Sequence, residues 1–336
     1  VSIRHTVLRT LAHTNWRLAL PALALTCGSL IVQAASDDPE IVVPTTAPTS
    51  AAIGPTGVVT PAVPAASAPP AARASEAAVA PATPVDEPLM KLPVNARHML
   101  VIDDSGRVLM AKDADTVVPI ASLTKLMTAM VVLDARQDMN EEIRIEDADV
   151  DRLKHSRSRV RVGATMSREA ALELALISSE NRAASALARH FPGGLPAYEA
   201  AVAAKIRALG LSHTSLADPT GLSPHNTSTA AEVARIAAAA ARYPVIARIS
   251  SDKSSEVEVN GRPRELRNTN HLVGAKGWDI RLSKTGYTEE AGRCLAMRMK
   301  SGGQTITVVL LDADGSAQRL RDAAAIRKSL AKIAAV

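Results

Sequence analysis

Aromatic side chains are nearly missing from this chain. Two Trp, three Tyr and one Phe occur among 336 residues, so there is little to stack on nucleic-acid bases, and Ala, Val, Leu, Ile and Met must fill the core. With no nucleic-acid motif either, no nucleic-acid partner is expected. Cysteine is equally scarce. Only Cys27 and Cys294 occur, and Cys27 lies in a segment expected to be removed. A disulfide framework is therefore excluded, and stability must come from a core. No CxxC or HExxH pattern occurs, which argues against a zinc-dependent peptidase. No metal and no cofactor are expected.

Charge changes sign along the chain: +3 over residues 1–35, −5 over 36–90 and +7 over the rest. A basic folded region suits an acidic or carboxylate-bearing substrate. Arg4, Arg9 and Arg17 precede an apolar run from Leu18 to Val32, and Val32-Gln33-Ala34 resembles a small-residue cleavage site. Residues 1–35 thus read as an export signal leading to the periplasm. Left uncleaved, the run is close to the ~17-residue minimum for a membrane span and would give weak membrane association. Residues 36–90 are rich in Ala, Pro, Thr and Ser and hold about half of the 20 prolines. They read as a disordered tether, because Pro removes backbone donors and no apolar period survives. Residues 91–336 are expected to form the folded domain.

Within that domain, Met99–Asp103 and Val108–Ala111 alternate around Asp104-Ser105-Gly106, as a hairpin does. From Ser122 to about Pro244 the period is helical, with segments Leu123–Ala135, Ser167–Ile177, Arg182–His190, Leu195–Leu209 and Thr229–Arg242. Strand patterns return at Glu256–Val259 and Arg264–Arg267, around Asn260-Gly261, and at Asp279–Lys284, Arg293–Met299 and Thr305–Leu311. A last helix is expected over Ala317–Ala334. Strands at both ends of a helical middle predict an α/β domain. Its sheet is mainly antiparallel and flanked by helices, with an all-helical subdomain and a site where the two parts meet.

Three short motifs carry chemistry. In Ser122-Leu-Thr-Lys125 the spacing puts a Lys on the helical face of a Ser at a helix N-terminus. Lys serves as a base there only if burial and positive neighbours depress its pKa. Alone the pattern is weak: about one SxxK arises by chance in a chain this long. Ser179-Glu180-Asn181 supplies a hydroxyl able to relay a proton and an amide able to bind both a substrate amide and a Lys; alone it also suits a helix cap. Lys284-Thr285-Gly286 ends the strand from Asp279. Its Lys and Thr suit a carboxylate, and its Gly leaves room for a substrate to pair along the strand. Cys294 reads as a buried small hydrophobe, Asp218–Ser223 as a structural loop bordering the site, and His225 and His271 as bystanders.

The ordered trio is far more specific than any one member. With it the chain resembles the low-molecular-mass penicillin-binding proteins, the serine D-alanyl-D-alanine peptidases. The likeness runs from about Arg97 to the end. It includes Pro119–Thr128, Ile177–Ala184, Ala217–Ser223 with Asn226 and Ser228–Ala230, Asn268–Asn270, Lys284–Tyr287 and Glu290–Leu295. It implies a β-lactamase/DD-peptidase-like fold, peptidoglycan peptides as substrates and β-lactams as inhibitors. Ser-Glu-Asn followed by Arg-Ala-Ala is similar to the endopeptidase branch, which opens D-Ala–diaminopimelate crosslinks. The 50 residues after Gly286 are expected to hold one hairpin and one helix, without the extra β-domain of the carboxypeptidase branch. The alternatives are a carboxypeptidase removing terminal D-Ala and a non-catalytic muropeptide-binding module. The deacylating Glu of a class A β-lactamase, four residues before an Asn, is not expected between the second and third motifs, so a β-lactam should acylate Ser122 and leave slowly. The resemblance implies Ser122 as nucleophile, Lys125 as its base and Ser179 as proton relay. It implies Asn181, Lys284, Thr285, Gly286 and Tyr287 as substrate-binding, with the backbone N–H groups of Ser122 and Tyr287 holding the oxyanion.

Overall fold

The computed structural model describes residues 94–333. The expected signal (1–35) and the whole of the expected linker (36–90) lie outside them. Two strands open the fold, β1 (His98–Asp103) and β2 (Val108–Lys112), paired antiparallel across the expected Asp104–Gly106 turn. The helical middle begins with a short strand, β3 (Val118–Pro119), and one 3₁₀ turn (Ala121–Thr124). It then runs through α1 (Lys125–Asp134), β4 (Glu142–Arg144), β5 (Thr165–Ser167), α2 (Arg168–Ile177), α3 (Asn181–Arg189), α4 (Gly194–Ala208), β6 (Thr227–Ser228), α5 (Ala230–Ala240) and α6 (Pro244–Ser251). A hairpin of β7 (Ser254–Val259) and β8 (Arg262–Arg267) follows. Then come the long strands β9 (Asp279–Thr288), β10 (Gly292–Ser301) and β11 (Gln304–Ala313), and α7 (Ser316–Ile333).

Local chemistry explains these boundaries. The Ser167 side chain accepts from Ala170 N–H to start α2, and Thr229 accepts from Glu232 N–H to start α5; such caps contribute about 1 kcal/mol each. Asn260 and Gly261 both have positive φ, 54° and 65°, as a two-residue hairpin turn requires. Pro244 opens α6 at its first turn, where a missing N–H costs nothing. The apolar period does not reveal α6, because Pro244 reads as an end rather than a beginning. Nor does it reveal β4 and β5, each three residues long.

Five strands form one antiparallel sheet in the order β2-β1-β11-β10-β9. Its two faces feed two cores. Leu295, Met297 and Met299 of β10 and Ile306, Val308 and Leu310 of β11 pack with Ala323, Ile326 and Leu330 of α7. The residues between them, Cys294, Ala296, Val309 and Leu311, join the core of the helical part. Alternation along a strand thus serves both sides, and each fully buried Leu, Ile or Val contributes about 1.5–3 kcal/mol. In α1, every residue from Lys125 to Val132 is buried, which makes it the central helix of the subdomain. The sheet ends on β9, whose face at Gly286 lies against the 3₁₀ turn that carries Ser122. Among the described residues, no helix is long and apolar enough to cross a membrane.

Candidate active site

The three motifs converge where the sheet edge meets the helical part. Ser122 sits in the 3₁₀ turn rather than in the α-helix itself. In that tighter winding, positions i and i+3 eclipse one another, and Lys125 Nζ lies 2.9 Å from Ser122 Oγ. Ala121, just before the nucleophile candidate, has a φ of 46°, and Ser179 has 58°. Both are L-residues in the left-handed region, each costing about 1–3 kcal/mol. Backbone strain therefore sits on Ser179 and on the residue just before Ser122.

Lys125 is buried, and its Nζ has two further partners: Asn181 Oδ1 at 2.8 Å and the Thr220 carbonyl at 2.6 Å. Burial pushes its pKa down to about 7, while the nearby carboxylates of Asp218 and Glu180 pull it back up. Burial is thus the main cause for this lysine, and repulsion between positive neighbours is shared with Lys284. That residue is also buried; desolvation first, then the charges of Lys125 and Arg319, hold its pKa well below the ordinary lysine value. Lys284 Nζ lies 2.8 Å from Ser179 Oγ and 2.9 Å from the Thr285 carbonyl. Among the described residues, no carboxylate forms an ion pair with either lysine.

A neutral lysine has two N–H donors and one lone pair. Asn181 Oδ1 and Thr220 O accept only, so they take both donors and leave the lone pair facing the Ser122 hydroxyl. The arrangement can deprotonate Ser122. Asn181 Nδ2 donates to Ser156 Oγ at 3.0 Å, which fixes the amide with its oxygen toward Lys125. A second lone pair on Oδ1 remains for a substrate N–H.

The third motif does not end its strand. β9 continues through Lys284, Thr285, Gly286 and Tyr287 to Thr288, paired with β10 throughout. The free side of this edge strand is where an extended peptide could add. A Cβ on Gly286 would stand 3.0 Å from both Ser122 N and Ile120 O, so only Gly lets β9 approach the serine turn this closely. Thr285 Oγ1 donates to Thr269 Oγ1 at 2.7 Å. The Tyr287 ring is half exposed, with the Arg293 guanidinium stacked 3.4 Å from its centroid.

The Asp218–Ser223 loop is more than a border. Its Thr220 carbonyl holds Lys125, and Gly221, with a φ of 83°, lies directly over the Ala121–Ser122 peptide. A Cβ there would overlap the Ala121 carbonyl and stand 2.8 Å from Ser122 N. The loop is shaped by Asp218, which accepts from Thr220, Gly221 and Ser223 N–H groups, and by the fully buried Asn226. The Asn226 oxygen accepts from Ala217 and Asp218 N–H, and its amide donates to Thr124 Oγ1. Asp-Pro-Thr-Gly signals a turn in the sequence, but nothing there says that the turn meets Lys125. Ser156 and Arg319 were missed as well. Neither carries a local signal, and only the fold brings them in.

The remaining side chains fall into place. Cys294 is buried, and its thiol is pushed up to about 12 by desolvation; it is not a nucleophile. The spacing of a class A deacylating pair does occur, at Glu256 and Asn260, contrary to expectation. Both residues are exposed on the β7–β8 hairpin, and the Asn260 side chain is bound to Thr165 N–H rather than to the serine site.

The family described as D-alanyl-D-alanine carboxypeptidase matches residues 83–315. The chain belongs to this family of serine D-Ala-D-Ala peptidases. Among its relatives, a D-alanyl-D-alanine endopeptidase of Pseudomonas aeruginosa is 42% identical over 245 residues, which cover 72% of this chain and 79% of the relative. A D-alanyl-D-alanine endopeptidase of Escherichia coli is 42% identical over 231 residues, 68% of this chain and 74% of the relative. The Streptomyces K15 DD-transpeptidase crystal structure shares the fold, with a TM-score of 0.67 over 72% of this chain and 99% of that one, at 24% identity. The expected peptidase fold is therefore the observed one.

Proposed function

We propose that this family member is a penicillin-sensitive DD-endopeptidase that hydrolyses D-Ala–diaminopimelate crosslinks through an acyl-enzyme on Ser122. The observation that carries the reading is the Lys125 environment. Two acceptor-only oxygens and full burial aim a neutral amine's lone pair at Ser122 Oγ. Lys125 takes the Ser122 proton as Oγ bonds to the D-Ala carbonyl carbon. The oxyanion is stabilised by the backbone N–H groups of Ser122 and Tyr287. The C–N bond then breaks as the proton taken by Lys125 passes through the Ser179 hydroxyl to the leaving amine. Water attacks the ester by the reverse path and frees Ser122. Lys284 and Thr285 hold the substrate carboxylate: a buried lysine without a paired acid gains a counter-ion when that carboxylate arrives. Asn181 binds the substrate amide, and Gly286 and Tyr287 line its path along β9.

Endopeptidase rather than carboxypeptidase action is favoured by the Ser179-Glu180-Asn181 sequence and by the names of the two 42%-identical relatives. Residues 1–35 act as the export signal and 36–90 as a tether for a periplasmic domain. The test is chromatography of muropeptides after incubation with the purified protein. Conversion of crosslinked dimers to monomers supports the proposal. Loss of only terminal D-Ala from monomers would make the protein a carboxypeptidase.

A further inference from the structure

Glu180 is a buried carboxylate, 7% exposed, standing between Ser179 and Asn181. It accepts no hydrogen bond from Lys125 or Lys284 and is used three times. Its oxygens accept from Ser158 Oγ at 2.6 Å, from Arg159 N at 3.3 Å and from Arg182 N at 3.3 Å. The last of these caps α3. The first two belong to a segment without regular structure, residues 151–160, that runs along the cleft. This strap is organised from within by Asp151, whose carboxylate accepts from Leu153, Lys154 and Ser156 N–H groups. Arg182 donates to the Val160 carbonyl at 2.9 Å and holds its far end. The Lys154 ammonium pairs with Glu290 on the β9–β10 turn and so links the strap to the sheet. Ser156, in the middle, accepts from Asn181 Nδ2, and Asn181 in turn accepts from Lys125.

We propose that Glu180 is a positioning residue that clamps the 151–160 strap, so that Ser156 holds the Asn181 amide with its oxygen on Lys125. A carboxylate suits the task because it accepts several bonds at once from two segments, and a charged acceptor strengthens each of them. A Gly in its place could occupy the start of α3 but would have no side chain to accept from Arg182 N–H or to reach the strap. The inference rests on the roles proposed for Ser122 and Lys125, and not on which peptide is cleaved.

The test is the second-order rate of Ser122 acylation by benzylpenicillin across pH, measured on the purified protein and on E180Q and S158A. Melting curves check that each variant is folded. Lys125 is faced by Glu180 from the α2–α3 turn, by Asp218 from the 217–223 loop and by Lys284 from β9. Loss of the Glu180 charge removes one anion that favours the lysine's protonated form. E180Q is expected to acylate about tenfold more slowly at the plateau, with its acid limb moved to lower pH. S158A keeps that charge and loses the bond to Glu180 together with Ser158's own contacts with Val160; it is expected to slow about threefold with the acid limb in place. Wild-type rates and profiles in both variants would overturn the proposal. So would a slow E180Q beside a wild-type S158A, since Glu180 would then be a helix cap alone. Should E180Q fail to fold, a wild-type rate in S158A would by itself overturn the clamp. Acylation of Ser122→Ala would instead sink the nucleophile assignment and leave the clamp without meaning.

Discussion

Two serine–lysine pairs face one cleft, and they are built in opposite ways. Ser122 and Lys125 are three residues apart and are set by one turn of 3₁₀ helix, with Nζ and Oγ 2.9 Å apart. Ser179 and Lys284 are 105 residues apart and meet at 2.8 Å only because β9 runs past the α2–α3 turn. Both lysines are buried and both are pushed toward neutrality, but by different surroundings. Lys125 has two fixed acceptors and the carboxylates of Asp218 and Glu180 nearby, whereas Lys284 has a carbonyl and the positive charges of Lys125 and Arg319. On the proposed reading, the same pair of side chains serves as base and nucleophile in one place and as an anion-binding pair in the other. Geometry alone would not separate them; the charges around them do.

The largest expected effect breaks the first pair. Lys125→Ala should lower the acylation rate by about 10³-fold, the scale of a lost general base, and stopped-flow or mass-resolved kinetics with benzylpenicillin would measure it. An equal loss in Lys125→Ala and Lys284→Ala would erase the distinction drawn here. Next comes the backing of the first pair. Gly221→Ala puts a Cβ into the Ala121 carbonyl at a positive φ, and should cost about 3 kcal/mol of stability, seen as a lower melting temperature. Lys284→Ala should slow acylation by about 10²-fold, chiefly through weaker binding. The loss should be much smaller for an acyl donor lacking the carboxylate, and competition assays with such esters would show it.

The sign of the pH dependence follows from Lys125. Its protonated form has no lone pair for Ser122, so the rate should rise with pH through about 7 and level off above it. A profile flat between pH 5 and 8 would contradict the base assignment. The smallest effect belongs to the rim. Lys154→Met removes the ion pair with Glu290, which is partly exposed, and should change stability by no more than about 1 kcal/mol.

The contrast between the pairs also marks what a sequence can reveal. Ser122 and Lys125 are legible because helical winding joins i and i+3 whatever the rest of the chain does. The hairpins at Gly106 and Asn260-Gly261 and the helices of the middle are legible for the same reason: their signals are local. That Lys284 meets Ser179 is not local, and neither is the contact of Thr220 with Lys125 or of Ser156 with Asn181. In those cases the sequence shows the parts, and the family resemblance, not the spacing, suggests that they belong together. The strand beyond Lys284 was cut short because Gly286 reads as a break. In the fold it marks the close passage of β9 over the Ser122 turn. Glu180 looked like a branch marker between two functional residues, and its bonds to the strap become visible only in three dimensions.

The central claim is that Ser122, activated by Lys125, is the acylated residue. Intact-mass measurement of the wild-type protein and Ser122→Ala after incubation with benzylpenicillin tests it most directly. One adduct per wild-type chain, mapped to the peptide holding Ser122, and none on Ser122→Ala is the predicted result. An adduct retained by Ser122→Ala, or none on either protein, would contradict the account.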